Sequence, residues 1–414
     1  MIERVFVIAF LFSLTGAHEV FLMGPRDEIL EIAAERRTFL RYVWIAFYLS
    51  LLALAVFHFR QMLVSFRSDP WLLALLILSF LSVTWSIEPD GTLRRSQALL
   101  FTAALGYFVA VRYSPLSQVR MLAIALMAAT AVGLAYGILA PEHGVMSIRH
   151  PGAWRGVFIN KNTFGLVAAL SCVSMFFLLL VNGAPRFWIV LGMITSLAAL
   201  LLSESLTSLL STVCVFIVLV LVEVARRVSE PGSAIALAGL TVCLAILLVS
   251  SADTVLALGG RDPTLTGRTL IWQEAWDLFQ QRPLLGYGYG AFWSDNSEPA
   301  SIIQEAIRWR TQTTHSGYLD LLLEFGVAGL LLFGLSALLT VLRLAIHLRQ
   351  IDRTRLLFCC GSLSFILIYN VVESALLEQN HILTVLYVWV VAVAASSVRV
   401  GKRRSIATTV SECD

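Results

Sequence analysis

Apolar runs long enough to cross a lipid bilayer recur along almost the whole of this chain. A helix needs roughly 20 apolar residues to traverse the hydrocarbon core. Runs of that order, bounded by charge, proline or glycine, fall at 4–23, 42–59, 71–87, 97–111, 119–140, 164–181, 187–203, 207–224, 233–251, 317–341, 355–372 and 380–398. Within hydrocarbon each backbone polar group must be satisfied by its own segment or by a closed sheet. The chain is therefore expected to be an all-α polytopic membrane protein with about 12 transmembrane helices, forming a single membrane domain over 1–414. Composition supports this: 58% of the 414 residues are hydrophobic and 14% are charged, which excludes an ordinary soluble domain. A net charge of +3 gives no reason to expect a nucleic-acid partner.

The first run, Val5 to Met23, has the small residues Thr15, Gly16 and Ala17 of a cleavable leader, but it is long enough to cross and is read as a retained span. Cysteines 172, 214, 243, 359 and 360 lie in apolar runs and Cys413 near the C-terminus, none at metal-ligand spacing with histidine, so they are read as small core residues. The basic connections 60–67, 112–120, 226–227 and 343–355, with the KRR at 402–404, fall on one side under simple alternation. The positive-inside rule makes that side, and both termini, cytoplasmic. The opposite, outer side then receives 24–41, 88–96, 141–163, 204–206, 373–379 and the longest connection, 252–316. In that loop GRTLIWQEAWDLFQQ has helical periodicity, with Ile271, Ala275 and Leu278 in one stripe and Trp272, Trp276 and Phe279 beside it. Such a helix can lie in the interface and roof a cavity, ended by Pro283 and Gly286, and a second helix is expected near 300–311.

Cations stand on this disfavoured side: Arg149, Arg155, Lys161, Arg261, Arg268, Arg282, Arg308 and Arg310. Long loops obey the charge rule weakly, but 141–163 is short, and its cations point to an anionic ligand.

Three motifs carry chemistry. RGVFINKNTFG, 155–165, sets Arg155 and Lys161, one of two lysines in the chain, before an apolar run. A guanidinium offers paired planar donors that suit phosphate, and a helix N-terminus aims unsatisfied N–H groups the same way. Asn160 and Asn162 suit either substrate contact or helix capping. Arg268, capped by Thr266 or Gly267, falls in the first turn of its helix, where the dipole disfavours a cation unless an anion compensates it or the side chain bends into solvent. The third motif is THSGYLDLLLEFG, 314–326. Asp320 and Glu324, one turn apart, are expected to face protein or water, because charge in hydrocarbon is costly. His315 can accept a proton near neutral pH, as a hydroxyl nucleophile requires, and flanking cations favour its neutral form. A plainer account makes His315 an interfacial histidine and the carboxylates partners of a nearby arginine. Ser316, Tyr318 and Trp272 are further candidates for substrate contact. No Asp-x-Asp pair or His/Cys cluster is found in the outer segments, so no metal and no cofactor is expected, and arginine must meet the charge of a phosphate leaving group.

Arg155 with INKN, the GR at 267–268 followed by W-x3-W and P-x2-G-x-G, and THSGYLDLLLEFG resemble the signatures of the O-antigen ligase and Wzy-type polysaccharide polymerase superfamily, and most closely its exopolysaccharide polymerases. The resemblance covers roughly 70 to 400. It implies a GT-C-type, inverting, metal-independent glycosyltransferase of the bacterial inner membrane. Such an enzyme takes a glycan from undecaprenyl pyrophosphate and passes it to an acceptor hydroxyl. It also implies that Arg155 and Arg268, with Lys161, hold the pyrophosphate and that His315 is the base, with lipid-linked oligosaccharide, membrane lipid and a chain-length regulator as partners. Many members carry Asn where Ser316 stands, and Arg or Lys where Leu206 stands in SESLTSLL beside Glu204, so contacts from those positions are in question here. Two alternatives stay open. One is a ligase that transfers finished glycan to lipid A core or protein. The other is a transporter or flippase, which would concentrate its polar residues midway along broken helices rather than at the mouths of spans.

Overall fold

The computed structural model describes residues 1–23, 34–148, 150–227, 232, 239, 268–295, 297–308 and 310–411, and these are α-helices joined by turns. Arg149, Arg261, Thr266, Gly267, Trp309, Cys413 and nearly all of the run at 233–251 lie outside them. In chain order the helices are α1 (Ile2–Ser13), α2 (Glu19–Met23), α3 (Ala34–Ala55), α4 (Phe59–Phe66), α5 (Pro70–Leu81), α6 (Pro89–Arg112), α7 (Pro115–Leu139), α8 (Pro141–Gly144), α9 (Lys161–Leu180), α10 (Arg186–Leu202) and α11 (Leu206–Ala225). Then follow α12 (Arg268–Gln281), α13 (Glu298–Ile307), α14 (Gly317–Ile346), α15 (Arg353–Tyr369) and α16 (Ile382–Ser411). The chain is a multi-pass membrane protein. Among the described residues, Phe39–Phe66, Pro115–Leu139, Lys161–Leu180, Leu206–Ala225 and Gly317–Ile346 are long and apolar enough to cross a bilayer, with shorter apolar helices beside them. The first run departs from expectation: it breaks between α1 and α2, where Gly16 takes φ +80°.

Local chemistry starts these helices where the sequence allows. Proline, whose missing N–H costs nothing in a first turn, opens α5, α6, α7 and α8. Asp69 caps α5 by accepting from Leu72 N at 2.9 Å, and Asn160 caps α9 by accepting from Thr163 N at 2.9 Å. Packing then sorts the helices. α9 lies inside, against α7, α10 and α11, whereas the stretch Phe39–Phe66 is peripheral and turns its apolar side chains outward, as a lipid-facing helix does. α16 is enclosed by α6, α14 and α15, and its polar groups find partners there: Trp389 Nε1 donates to Gln118 Oε1 at 2.7 Å and Tyr387 pairs with Ser336 at 2.8 Å.

Contacts between connections show the two ends of the bundle. At one end Arg353 meets Glu223 and Arg343 meets Asp69, which joins the connections at 60–69, 223–227 and 343–355, and Arg112 meets Glu3, which joins 112–120 to the first residues of α1. At the other, Ile87 N donates to Tyr287 O, Trp154 N to Leu202 O and Gly317 N to Asn370 O, which gathers 85–92, 141–160, 202–206, 282–316 and 370–381.

One exchange of backbone bonds fixes the stretch 283–288. α14 kinks at Gly326, where φ is +65°, and the helical bonds from Val327 and Ala328 to Leu323 and Glu324 are replaced. Val327 N instead donates to Pro283 O and Ala328 N to Leu284 O, while Tyr287 N and Gly288 N fill the vacated carbonyls of Leu323 and Glu324. The P-x2-G-x-G stretch thus docks as a short ribbon into an opened helix, and all four backbone groups stay satisfied as the surroundings require. A Cβ at Gly326 would fall on the Leu284 carbonyl. Gly326→Ala is expected to cost about 1–3 kcal/mol from forcing a side chain onto an extended positive-φ backbone that essentially only glycine adopts, and more from the collision, read as a lower midpoint of thermal unfolding in detergent; an unchanged midpoint would refute the docking.

Candidate functional site

Glu373, just beyond the end of α15, is the centre of the polar cluster. Its Oε1 accepts from Arg268 Nη2 at 2.8 Å and from Asn162 Nδ2 at 2.7 Å, and its Oε2 lies 3.5 Å from His315 Nδ1. One carboxylate therefore joins α12, α9 and the turn before α14. The side chains of Glu373, Arg268 and His315 keep 9%, 17% and 25% of their surface exposed, so the group is largely desolvated but open to a ligand. The anion that Arg268 requires in the first turn of α12 is thus a side chain of the protein itself.

The turn that presents His315 is built by its neighbours. Thr314 N donates to Asp320 Oδ1 at 3.1 Å, Thr314 O accepts from Trp272 Nε1 at 2.9 Å, and Thr314 Oγ1 bridges to the backbone of Ser316. His315 itself takes φ +56°, a left-handed conformation that a non-glycine residue holds only when its surroundings impose it. Gly317 N then donates to both Asn370 O and Glu373 O, at 2.9 and 3.0 Å. Asn370 is locked in turn: its amide donates to Ile366 O and its Oδ1 accepts from Ala375 N. The backbone that carries His315 and the backbone that carries Glu373 are therefore tied directly to each other.

Arg268, His315, Asn162, Trp272 and Ser316 come together around this cluster. Lys161, beside Asn162 in the first turn of α9, donates to Glu204 O at 3.2 Å. Asn160 caps α9, and the Tyr318 hydroxyl donates to Leu367 O at 2.8 Å, so both polar groups serve the bundle. Arg155 is buried in the 141–160 elbow, where its Nε donates to His143 O at 2.7 Å and its backbone N to Gly144 O; the hydrogen bonds described for it hold that elbow rather than Glu373. Of the other histidines at this end, His381 caps α16 by accepting from Leu383 N, and burial lowers its pKa to about 4, which keeps it neutral. Glu373 and Asn370 were not singled out by the sequence reading. The available signal was a carboxylate directly after the apolar run of α15, where an ionisable group is costly without a partner.

Two hollows border the two turns that carry His315 and Glu373, through chain neighbours of these residues. One, of about 500 Å³, is open and mainly apolar, lined by Trp272, Gln273, Trp276, Asp277, Ser316, Leu319 and Val371. The other, of about 280 Å³, is polar and reaches these turns at Thr313, Gly317, Ser374 and Ala375. Asp320 and Glu324 line it, facing away from lipid as expected. Glu378 lines it too: burial, with Asp320 and Glu19 nearby, raises its carboxyl to about 7. Among the described residues no group of three or more His, Cys, Asp or Glu side chains is arranged to hold a metal.

Fold and site together define a multi-pass, all-helical membrane protein with an Arg–Glu–His cluster at one end of its spans. Comparison with known proteins shows what the chain is similar to. Residues 191–334 match the family described as O-antigen ligase, a segment that contains both Arg268 and His315. Along 95% of its length the chain is 27% identical to the exopolysaccharide production protein ExoQ of Rhizobium meliloti (strain 1021), of which it covers 91%. These two matches show the likeness to the O-antigen ligase family over its matched segment and to an exopolysaccharide production protein over most of the chain.

Proposed function

We propose that the protein is a GT-C-type glycosyltransferase of about 12 spans, one membrane domain whose 252–316 segment covers the site, polymerising carrier-linked repeat units into a long polysaccharide. The observation that carries this reading is the meeting of Arg268, His315 and Asn162, from three separate motifs, on the single carboxylate of Glu373. The donor is a glycan on undecaprenyl pyrophosphate in the inner membrane, with the site on the periplasmic face. Its diphosphate competes with Glu373 for Arg268, whose planar fork suits phosphate oxygens, and Lys161 and Arg155 add positive charge from the α9 side. The open apolar hollow beside Trp272 and Trp276 suits the first units of the prenyl tail.

His315 takes the proton of an acceptor hydroxyl. The oxygen attacks the anomeric carbon, its bond to carbon forms as the bond from that carbon to the pyrophosphate oxygen breaks, and the configuration inverts. Glu373 steadies the imidazolium that results and holds the ring in place. The placement of the charged groups argues against a carrier: Arg268 and Asn162 sit in first turns, His315 precedes α14 and Glu373 follows α15, all at helix ends rather than midway along broken helices.

The family description favours a ligase as the second reading, while the exopolysaccharide relative favours a polymerase. Carrier-linked glycans extracted from a strain lacking the gene separate them. Single repeat units on the carrier are expected. Long chains there would make the protein a ligase, and an unchanged profile with normal polymer would exclude both. In the complemented strain Arg268→Lys, which keeps the charge but loses the fork, is expected to cut polymer yield about tenfold, a loss on the order of the donor-strength difference between the two cations; full yield would remove Arg268 from the donor site.

A further inference from the structure

Resting on the reading above, we propose that the polar hollow bordering the turns that carry His315 and Glu373 is the acceptor subsite, and that it takes an uncharged or amino-bearing sugar in preference to an acidic one. Three features point this way. The first is size: about 280 Å³ is room for roughly nine waters at the ~30 Å³ each occupies in the liquid, which fits a sugar ring and far exceeds a bare ion. The second is lining chemistry. Asp320, Glu324 and Glu378 offer oxygens that accept from hydroxyls, Gln379 adds an amide, and Trp293 supplies apolar surface, its indole N–H already donating to Asp320 at 2.9 Å. Arg95 is the lining cation, and it is held by Glu88 at 2.8 Å, so four acidic side chains, Asp295 among them, face a ligand against one engaged guanidinium. A uronate or other acidic sugar placed there meets no unengaged lining cation to compensate its charge.

The third feature is position. Thr313 and Gly317, two residues before and two after His315, line this hollow, as do Ser374 and Ala375 next to Glu373. Ser316 and Val371 line the apolar hollow instead. Within this turn, then, Thr313 and Gly317 border the sugar-sized hollow and Ser316 borders the hollow proposed for the donor. A sugar in the polar hollow would present its hydroxyl to the base past Thr313 and Gly317.

The test uses full-length protein in detergent with ligand-observed NMR. The probes are the methyl glycosides of glucose, galactose, mannose and glucosamine, against methyl glucuronide. At least one neutral or amino glycoside is expected to bind, the glucuronide more weakly. Glu378→Gln and Trp293→Phe are expected to weaken that binding about tenfold, the scale of a hydrogen bond to a charged group, while His315→Ala leaves it intact. In transfer assays the same two variants raise the acceptor KM and leave the donor KM and kcat alone. Binding by none of the glycosides, preference for the glucuronide, or a rise in donor KM instead would overturn the subsite. Loss of transfer in His315→Ala would still stand, so the assignment of the reaction is judged separately.

Discussion

His315→Ala protein is expected to reach the membrane in normal amount and to transfer glycan ~10²–10⁴-fold more slowly, the contribution usual for a general base. The fold should tolerate the change. A quarter of the imidazole surface is exposed, and the turn is held by Thr314, Asp320, Trp272 and Gly317 rather than by the ring. Alanine also takes the left-handed conformation no more easily than histidine, so the backbone stays governed by its neighbours. A separate role is expected for Glu373. Glu373→Gln keeps the shape but removes the charge that faces both Arg268 and His315, so it should alter the pH profile of transfer, whereas Asn162→Ala should not. Rates measured in membranes with a carrier-linked substrate check both expectations. Transfer by His315→Ala at the rate of the unaltered protein would take away the base and with it the proposed mechanism.

The helices were legible because their causes are local. Periodicity placed α12, and Asp69, Asn160 and the prolines at first positions mark helix starts without tertiary information. The charge pattern even demanded an anion for Arg268. What it did not say is which anion, because Glu373 lies on a different span, and a pairing made by packing leaves no periodic trace in one sequence. The kink at Gly326 was hidden for the same reason: THSGYLDLLLEFG reads as one continuous helix, and only the ribbon formed by Pro283–Gly288 explains why the helix opens there. In the other direction, the apolar run at 4–23 promised one span, yet Gly16 and the turn around it divide it, since hydropathy reports where a segment can lie and not whether its backbone is continuous. Asn160 shows how one residue type serves two chemistries. Its side chain caps α9, while Asn162, two positions on, is the asparagine that reaches Glu373.

Gly317→Ala is expected to be the most damaging of the small substitutions. A Cβ there would overlap Asn370 Oδ1 and press on Leu376 Cβ at 2.9 Å. Asn370 has nowhere to go, since both ends of its amide are bonded, to Ile366 O and from Ala375 N. The strain must then move the start of α14 away from the 370–375 turn, stretching the bonds from Gly317 N to Asn370 O and Glu373 O. Those bonds are what hold the base against its carboxylate. A misplacement of about 1 Å costs on the order of 10²-fold in rate, so a loss of that size is expected along with a lower unfolding midpoint. The neighbouring Ser316→Ala, which adds no atoms, serves as the control and should keep most of the activity. Pairing Gly317→Ala with Asn370→Ala relieves the overlap and should recover part of the rate even though it frees the Ala375 N–H. If Gly317→Ala alone transfers glycan normally, the coupling between the two turns is not what positions His315.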